Sequence, residues 1–216
     1  MDLKAIVFDW DQTLWDSWAV HQGGIEYAAQ SVGLPKPSKE RIVATFKGVL
    51  EEHLAFLLGN SEESLRYYLE FYKAHRRRLS RLFPEVWEPL QALYGAGYRL
   101  AVLSNKVRLA VMEDVREARL EDLFETTLCR DDLGITKPEP GGLQHVLNEL
   151  QIVPREALYV GDAPSDMECA RRAGVGSVGA LWGCIDIPAL VAAEPDTLWN
   201  QPQEALKLIP SPCIFL

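Results

Sequence analysis

The chain has 216 residues, 48% hydrophobic and 25% charged, a composition that excludes disordered, collagen-like and disulfide-scaffold classes. Asp and Glu number 31 against 22 Lys and Arg, a formal charge of −9. That sign repels phosphate backbones and anionic lipid faces, so no nucleic-acid or membrane partner is expected. Met1-Asp2-Leu3-Lys4 does not read as a signal peptide, and no run approaches the ~20 apolar residues of a membrane helix. Cys129, Cys169, Cys184 and Cys213 are scattered without metal-ligand spacing, which points to reduced thiols and a cytoplasmic protein. The final Cys213-Ile214-Phe215-Leu216 fits a prenylation pattern. No polybasic stretch precedes it, so it is read as coincidence.

Ala5-Ile6-Val7-Phe8 reads as a buried strand. The segment over residues 16–81 that follows has no convincing strand. Its apolar residues recur at helical spacing (Ile25, Ala28, Ala29; Leu54, Phe56, Leu57, Leu58; Leu65, Tyr68, Leu69, Tyr72), and Pro35, Pro37, Gly48 and Gly59-Asn60 divide it into about four helices. Strand signals then return at residues 100–103, 124–128, 157–160 and 176–181. Helical segments over 87–96, 108–120, 141–150 and 165–173 separate them, and a short helix opens at Pro202. Continuous apolar runs alternating with helices specify an α/β fold, a Rossmann-like doubly wound parallel sheet with an inserted α-helical cap domain. The expected division is a core of residues 1–15 and 85–216 and a cap of residues 16–84. Ligand sites in such sheets lie beyond the carboxyl ends of the strands, where the cap would sit as a lid.

Those strand ends carry chemistry. Strand one runs into Asp9-Trp10-Asp11-Gln12-Thr13, the second ends in Ser104-Asn105, Thr136-Lys137-Pro138 follows the third, and the fourth ends in Gly161-Asp162 with Asp166 four residues on. Asp9 and Asp162, on neighbouring strands, could share a hard cation such as Mg²⁺, which takes about six oxygens from carboxylates, water and phosphate. Asp9 and Asp11 leave the strand two residues apart, so one could attack phosphorus while the other moves protons. Thr13, Ser104 and Asn105 offer hydrogen bonds to phosphoryl oxygens, and Lys137 a positive charge.

With these residues in order, the chain resembles the haloacid dehalogenase-like hydrolase superfamily, and within it the phosphoglycolate phosphatase-like members with a helical cap. Asp9-Trp10-Asp11-Gln12-Thr13-Leu14, Leu103-Ser104-Asn105-Lys106, Lys137-Pro138-Glu139-Pro140 and Gly161-Asp162-Ala163-Pro164-Ser165-Asp166 look like its four motifs. The resemblance implies a Mg²⁺-dependent phosphatase acting on a small phosphorylated metabolite through an aspartyl phosphate. It implies Asp9 as nucleophile and metal ligand, and Asp11 as acid/base with its backbone carbonyl on the metal. Asp162 would be the other carboxylate ligand and Asp166 the outer acidic ligand. The expected assembly is a monomer or homodimer.

Two features depart from the pattern or divide its members. Gln12 stands where the family usually has glycine, the one feature that supports a phosphate-binding or regulatory protein without turnover. A beta-phosphoglucomutase-like transferase is the other alternative. His21 and Phe46-Lys47-Gly48-Val49 resemble parts of that enzyme's cap, but Glu51 falls where the mutase uses an arginine for a second phosphate. Lys47 is read as either a contact to substrate carboxylate or phosphate or a solvated lysine. His21 is read as a substrate-side residue, a helix surface residue or a satisfied buried histidine. His75-Arg76-Arg77-Arg78 is read as a solvated, dipole-favoured helix end, and Trp10 and Trp15 as packing.

Overall fold

A computed structural model describes residues 3–46, 48–59 and 61–210. The chain runs β1 (Ala5–Phe8), β2 (Trp15–Asp16), α1 (Trp18–Ser31), α2 (Lys39–Thr45), α3 (Leu50–Leu58), α4 (Ser61–Leu79), β3 (Arg81–Leu82), α5 (Trp87–Gly95), β4 (Arg99–Ser104) and α6 (Arg108–Ala118). It continues through β5 (Thr126–Cys129), α7 (Arg130–Leu133), α8 (Gly141–Glu149), β6 (Ala157–Gly161), α9 (Pro164–Ala173), β7 (Gly176–Ala180), α10 (Ile187–Ala192) and β8 (Thr197–Trp199). Six strands form one parallel sheet in the order β5-β4-β1-β6-β7-β8.

Strand β1 explains the layering. All four of its residues are buried, yet side chains alternate between faces. Ile6 and Phe8 enter one apolar cluster with Leu90 and Leu93 of α5 and Val111 and Val115 of α6. Ala5 and Val7 enter another with Leu143 and Val146 of α8 and Cys169 and Ala170 of α9. A strand covered on both sides has no polar face, which is why its sequence reads as an uninterrupted apolar run. The chain passes from β1 to β4 on one side and places β6 on the other, so the carboxyl end of β1 is the switch point of the sheet.

Helices α1–α4 gather around their own cluster of Ile25, Ala28, Ala29, Ile42, Leu54 and Tyr68. About four helices were expected here, and four are present among the described residues. The absence of strands was an incorrect expectation at the edges. Trp15–Asp16 and Arg81–Leu82 pair antiparallel and bring the entering and leaving chains side by side. Two residues per strand are too few to show a period. The three-residue edge strand β8 escaped the sequence reading for the same reason. No helix among the described residues is long and apolar enough to cross a membrane, and the terminal residues 211–216 lie outside the described residues.

Candidate active site

Asp9 is the first residue past β1, and its backbone N–H still donates to Val160 O (2.8 Å), which extends the β1–β6 pairing into the loop. Asp162 is the first residue past β6, and Asp166 lies in the first turn of α9. All three are buried, and one carboxylate oxygen from each lies within 4.8 Å of the others. Lys137 donates to Asp9 Oδ1 and pairs with Asp166 Oδ1 at 2.7 Å. Asp166 is held further by Ala163 N (3.0 Å) and the Tyr159 hydroxyl (3.2 Å).

Three carboxylates against one ammonium leave an excess of negative charge in a dry place. Burial pushes the Asp9 carboxyl up to about 7, with Asp166 and Asp11 adding to the effect and Lys137 opposing it. Burial, then Asp9 and Asp166, holds Asp162 well above the usual carboxylate range. Burial alone would discharge Lys137, but Asp166 and Asp9 keep it above the ordinary lysine value. An all-oxygen donor set with surplus negative charge fits a hard divalent cation.

The remaining expected residues divide. Ser104 is buried at the end of β4, and its Oγ accepts from Lys106 N (3.1 Å), which leaves the hydroxyl hydrogen to donate elsewhere. Thr13 and Asn105 were expected on phosphoryl oxygens, but their polar atoms point to protein partners. Thr13 Oγ1 donates to Asp162 Oδ1 (3.2 Å). Asn105 Nδ2 donates to Lys137 O (3.2 Å), and its Oδ1 accepts from Lys137 N (2.8 Å). Both orient a charged neighbour. The Asp11 carboxylate is not one of that group of three and accepts from Lys106 Nζ (3.0 Å). Lys47 lies outside the described residues. Its neighbour Gly48 has φ +95°, and a Cβ there would fall 2.9 Å from Asn105 Nδ2. Gly48 therefore lies directly against Asn105.

His21 Nδ1 shares a hydrogen bond with the Tyr68 hydroxyl (3.1 Å), while its Nε2 is buried without a partner among the described residues. Burial, with His53 beside it, holds His21 down to about 4, so its ring is neutral. Phe46 and His53 pack on it at 5.3 and 6.0 Å between centroids. Glu51 accepts from both terminal guanidinium nitrogens of Arg130 of α7.

Gln12 has φ +64°, the left-handed region that glycine enters freely. With its side-chain oxygen turned toward α1, it accepts from Trp18 N (2.7 Å) and Ser17 N (3.0 Å). The Ser17 side chain supplies no cap to that helix, so the glutamine provides what the N-terminus lacks. On its other side the loop meets Gly183, where a Cβ would lie 1.9 Å from Gln12 O. Trp182 Nε1 donates to Thr13 O (2.8 Å). Trp10 and Trp15 are buried and stacked at 5.9 Å, as packing residues should be.

Sequence reasoning gave Lys106 and Asp114 no role and took Arg76 as solvated. Asp114 is fully buried, although it shares a helix face with Val111 and Val115. An acid on an apolar stripe was the signal for it. Arg76 belongs to the run read as solvated, and that reading is corrected. It is buried, with Asp114 Oδ1 at 3.1 Å and Glu113 at 2.9 Å. Its partners are nonlocal, so a charge run viewed along one helix could not reveal them.

The fold and this site define an enzyme of the phosphatase class, with a charged cluster at the switch point of a doubly wound sheet and helices packed over it. The haloacid dehalogenase-like hydrolase profile matches residues 6–180, and the chain belongs to that family. It is 30% identical over 221 residues to the phosphoglycolate phosphatase of Vibrio vulnificus (strain YJ016), with 96% of each chain covered. It is 27% identical over 148 residues to pyrophosphatase PpaX of Anoxybacillus flavithermus (strain DSM 21510 / WK1), covering 68% of this chain and 69% of that one. A crystal structure of a predicted phosphoglycolate phosphatase from Haemophilus somnus 129pt is similar with a TM-score of 0.87 at 28% identity, over 97% of this chain and 99% of that one.

Proposed function

We propose that the protein is a Mg²⁺-dependent cytoplasmic phosphatase that hydrolyses a small phosphorylated metabolite of the phosphoglycolate class through an aspartyl phosphate on Asp9. The observation that carries this reading is the buried Asp9 carboxylate, paired with Lys137 beside two more buried carboxylates. Asp9, Asp162 and Asp166, with the Asp11 backbone carbonyl, would hold the cation, which when bound supplies charge neutralisation for phosphoryl oxygens.

Asp9 attacks phosphorus and forms a P–O bond as the ester P–O bond breaks. The electron pair of that bond goes to the ester oxygen, which takes a proton from Asp11. Asp11 then removes a proton from water. The water oxygen attacks phosphorus, and the acyl-phosphate P–O bond breaks to return the Asp9 carboxylate and inorganic phosphate. Lys137 and the Ser104 hydroxyl offset charge on the phosphoryl oxygens throughout. Asn105 fixes Lys137 through its backbone, and Thr13 fixes Asp162. Gly48 of the cap lies against Asn105 beside the site, where the cap would shield the reaction from water.

Hydrolysis is favoured over transfer between sugar positions by Glu51. It places a carboxylate on the cap and is tied to Arg130, where a bisphosphate would need a free cation. The purified protein is expected to release phosphate from a panel of phosphate monoesters, to stop with EDTA and to resume with Mg²⁺. Asp9→Asn should lose at least about 10³-fold, since a covalent route has no substitute nucleophile. Full turnover by Asp9→Asn would overturn the nucleophile assignment. Glucose 6-phosphate formed from beta-glucose 1-phosphate with a bisphosphate primer would support the mutase reading. Phosphate binding without turnover across the panel would support the regulatory one.

A further inference from the structure

Helices α4 and α6 meet through a buried chain of charges that the steps above do not use. Asp114 lies at its centre, fully buried in α6. Its Oδ1 accepts from Arg76 of α4 (3.1 Å). Its Oδ2 accepts from Lys106 Nζ (2.7 Å) and from the indole N–H of Trp10 (3.3 Å). Lys106 reaches on to Asp11 Oδ1 (3.0 Å) and lies 5.7 Å from the ring centroid of Tyr72. Tyr72 and Arg76 are one turn apart on the same face of α4, so one helix supports both Lys106 and the carboxylate that anchors it.

This arrangement answers a need of the proposed chemistry. Asp11 sits on a loop with its side chain 34% exposed, and a proton donor must be held within hydrogen-bond reach of the ester oxygen. Lys106 occupies Oδ1 and leaves Oδ2 for the proton. Lys106 is in turn fixed by Asp114, whose other oxygen belongs to the cap helix. We infer that Lys106, backed by Asp114 and Arg76, is the positioning residue for Asp11, aiming its carboxyl at the leaving group while α4 is docked on α6. Proton transfer is thereby tied to the seating of the helical cap. This rests on the reading of Asp11 as proton donor.

The test compares two substrates by kcat/KM, which ends at ester P–O cleavage and leaves out hydrolysis of the aspartyl phosphate. 2,4-Dinitrophenolate leaves without a proton, whereas the ethoxide of ethyl phosphate needs one. In Lys106→Ala the ratio of kcat/KM for ethyl phosphate to that for 2,4-dinitrophenyl phosphate should fall at least about tenfold, a share of the 10²–10⁴ that general acid–base catalysis supplies. Lys106→Arg should restore most of the ratio. Arg76→Gln should lower it by a smaller factor, since it acts through Asp114. Equal losses on both substrates in Lys106→Ala would mean a structural role only and would overturn the inference. If that variant does not fold, an unchanged ratio in Arg76→Gln overturns it instead. Asp11→Ala separates the two levels. A ratio that falls there and not in the Lys106 and Arg76 variants refutes the positioning chain alone, and equal losses there refute Asp11 as the acid.

Discussion

Replacing Asp162 by asparagine removes one of three buried carboxylates that crowd the end of β6 and β1, while an amide oxygen can still accept from Thr13. Each pH unit by which burial displaces a carboxyl costs the charged form about 1.4 kcal/mol. Asp9, moved from 3.8 to about 7, thus carries about 4 kcal/mol of penalty when ionised. Asp162 is displaced in the same direction by burial and by Asp9 and Asp166. Without metal, near pH 8, Asp162→Asn should therefore be more stable than the parent by about 1–3 kcal/mol, or about 2–12 °C in Tm for a chain of this size. The sign follows from linkage. A carboxyl whose folded pKa is raised contributes stability that is fully present below about pH 4 and lost as pH rises through the folded value. The advantage of Asp162→Asn should vanish by about pH 4. Mg²⁺ is expected to act in the opposite sense. At a hundred times its Kd it should stabilise the parent by about 2.7 kcal/mol, enough to offset most or all of that advantage, and should do little for the variant. Differential scanning fluorimetry in EDTA and in saturating MgCl₂ reads both effects. A variant less stable than the parent in EDTA that keeps the full Mg²⁺ response would refute the acidic cluster as the cation site.

Gln12→Ala keeps the left-handed backbone and deletes the acceptor for Ser17 N and Trp18 N. It should cost about 1 kcal/mol, the usual worth of an N-cap. Gln12→Gly loses the same acceptor but relieves about 1–2 kcal/mol of left-handed strain, so urea titration should rank it above Gln12→Ala. Burial holds His53 down to about 4. A base with a depressed folded pKa contributes stability that is present above about pH 6.5 and lost as pH falls through about 4. Comparing His53→Phe with the parent at about pH 7 and pH 5 should show a difference that shifts in favour of the variant at the lower pH. A constant difference would mean that His53 is not neutral in the fold.

What local sequence could determine was the frame and the positions of its strand-end groups. Ala5-Ile6-Val7-Phe8 reads as a doubly covered strand because both faces of a central parallel strand must be apolar, and the structure buries all four residues. Asp9 and Asp162 were legible as neighbours because each directly follows such a strand, and the paired ends β1 and β6 bring them together. About four helices over residues 16–81 were legible from apolar spacing together with the Pro and Gly residues that divide the segment. The strands β2, β3 and β8 were not, since two or three residues carry no period at all.

Only the tertiary structure decided which charges are paired. Asn105 and Thr13 carry polar groups that suit phosphate as well as protein partners, and packing directs them to Lys137 and Asp162. Arg76 lies in a basic run that sequence alone makes solvent-facing, and it is the docking of α4 on α6 that buries it against Asp114. The physical reason is common to these cases. Burial and apolar periodicity repeat along the chain and can be read there. Which carboxylate meets which ammonium is fixed by contacts between segments tens of residues apart, where desolvation makes the choice of partner decisive.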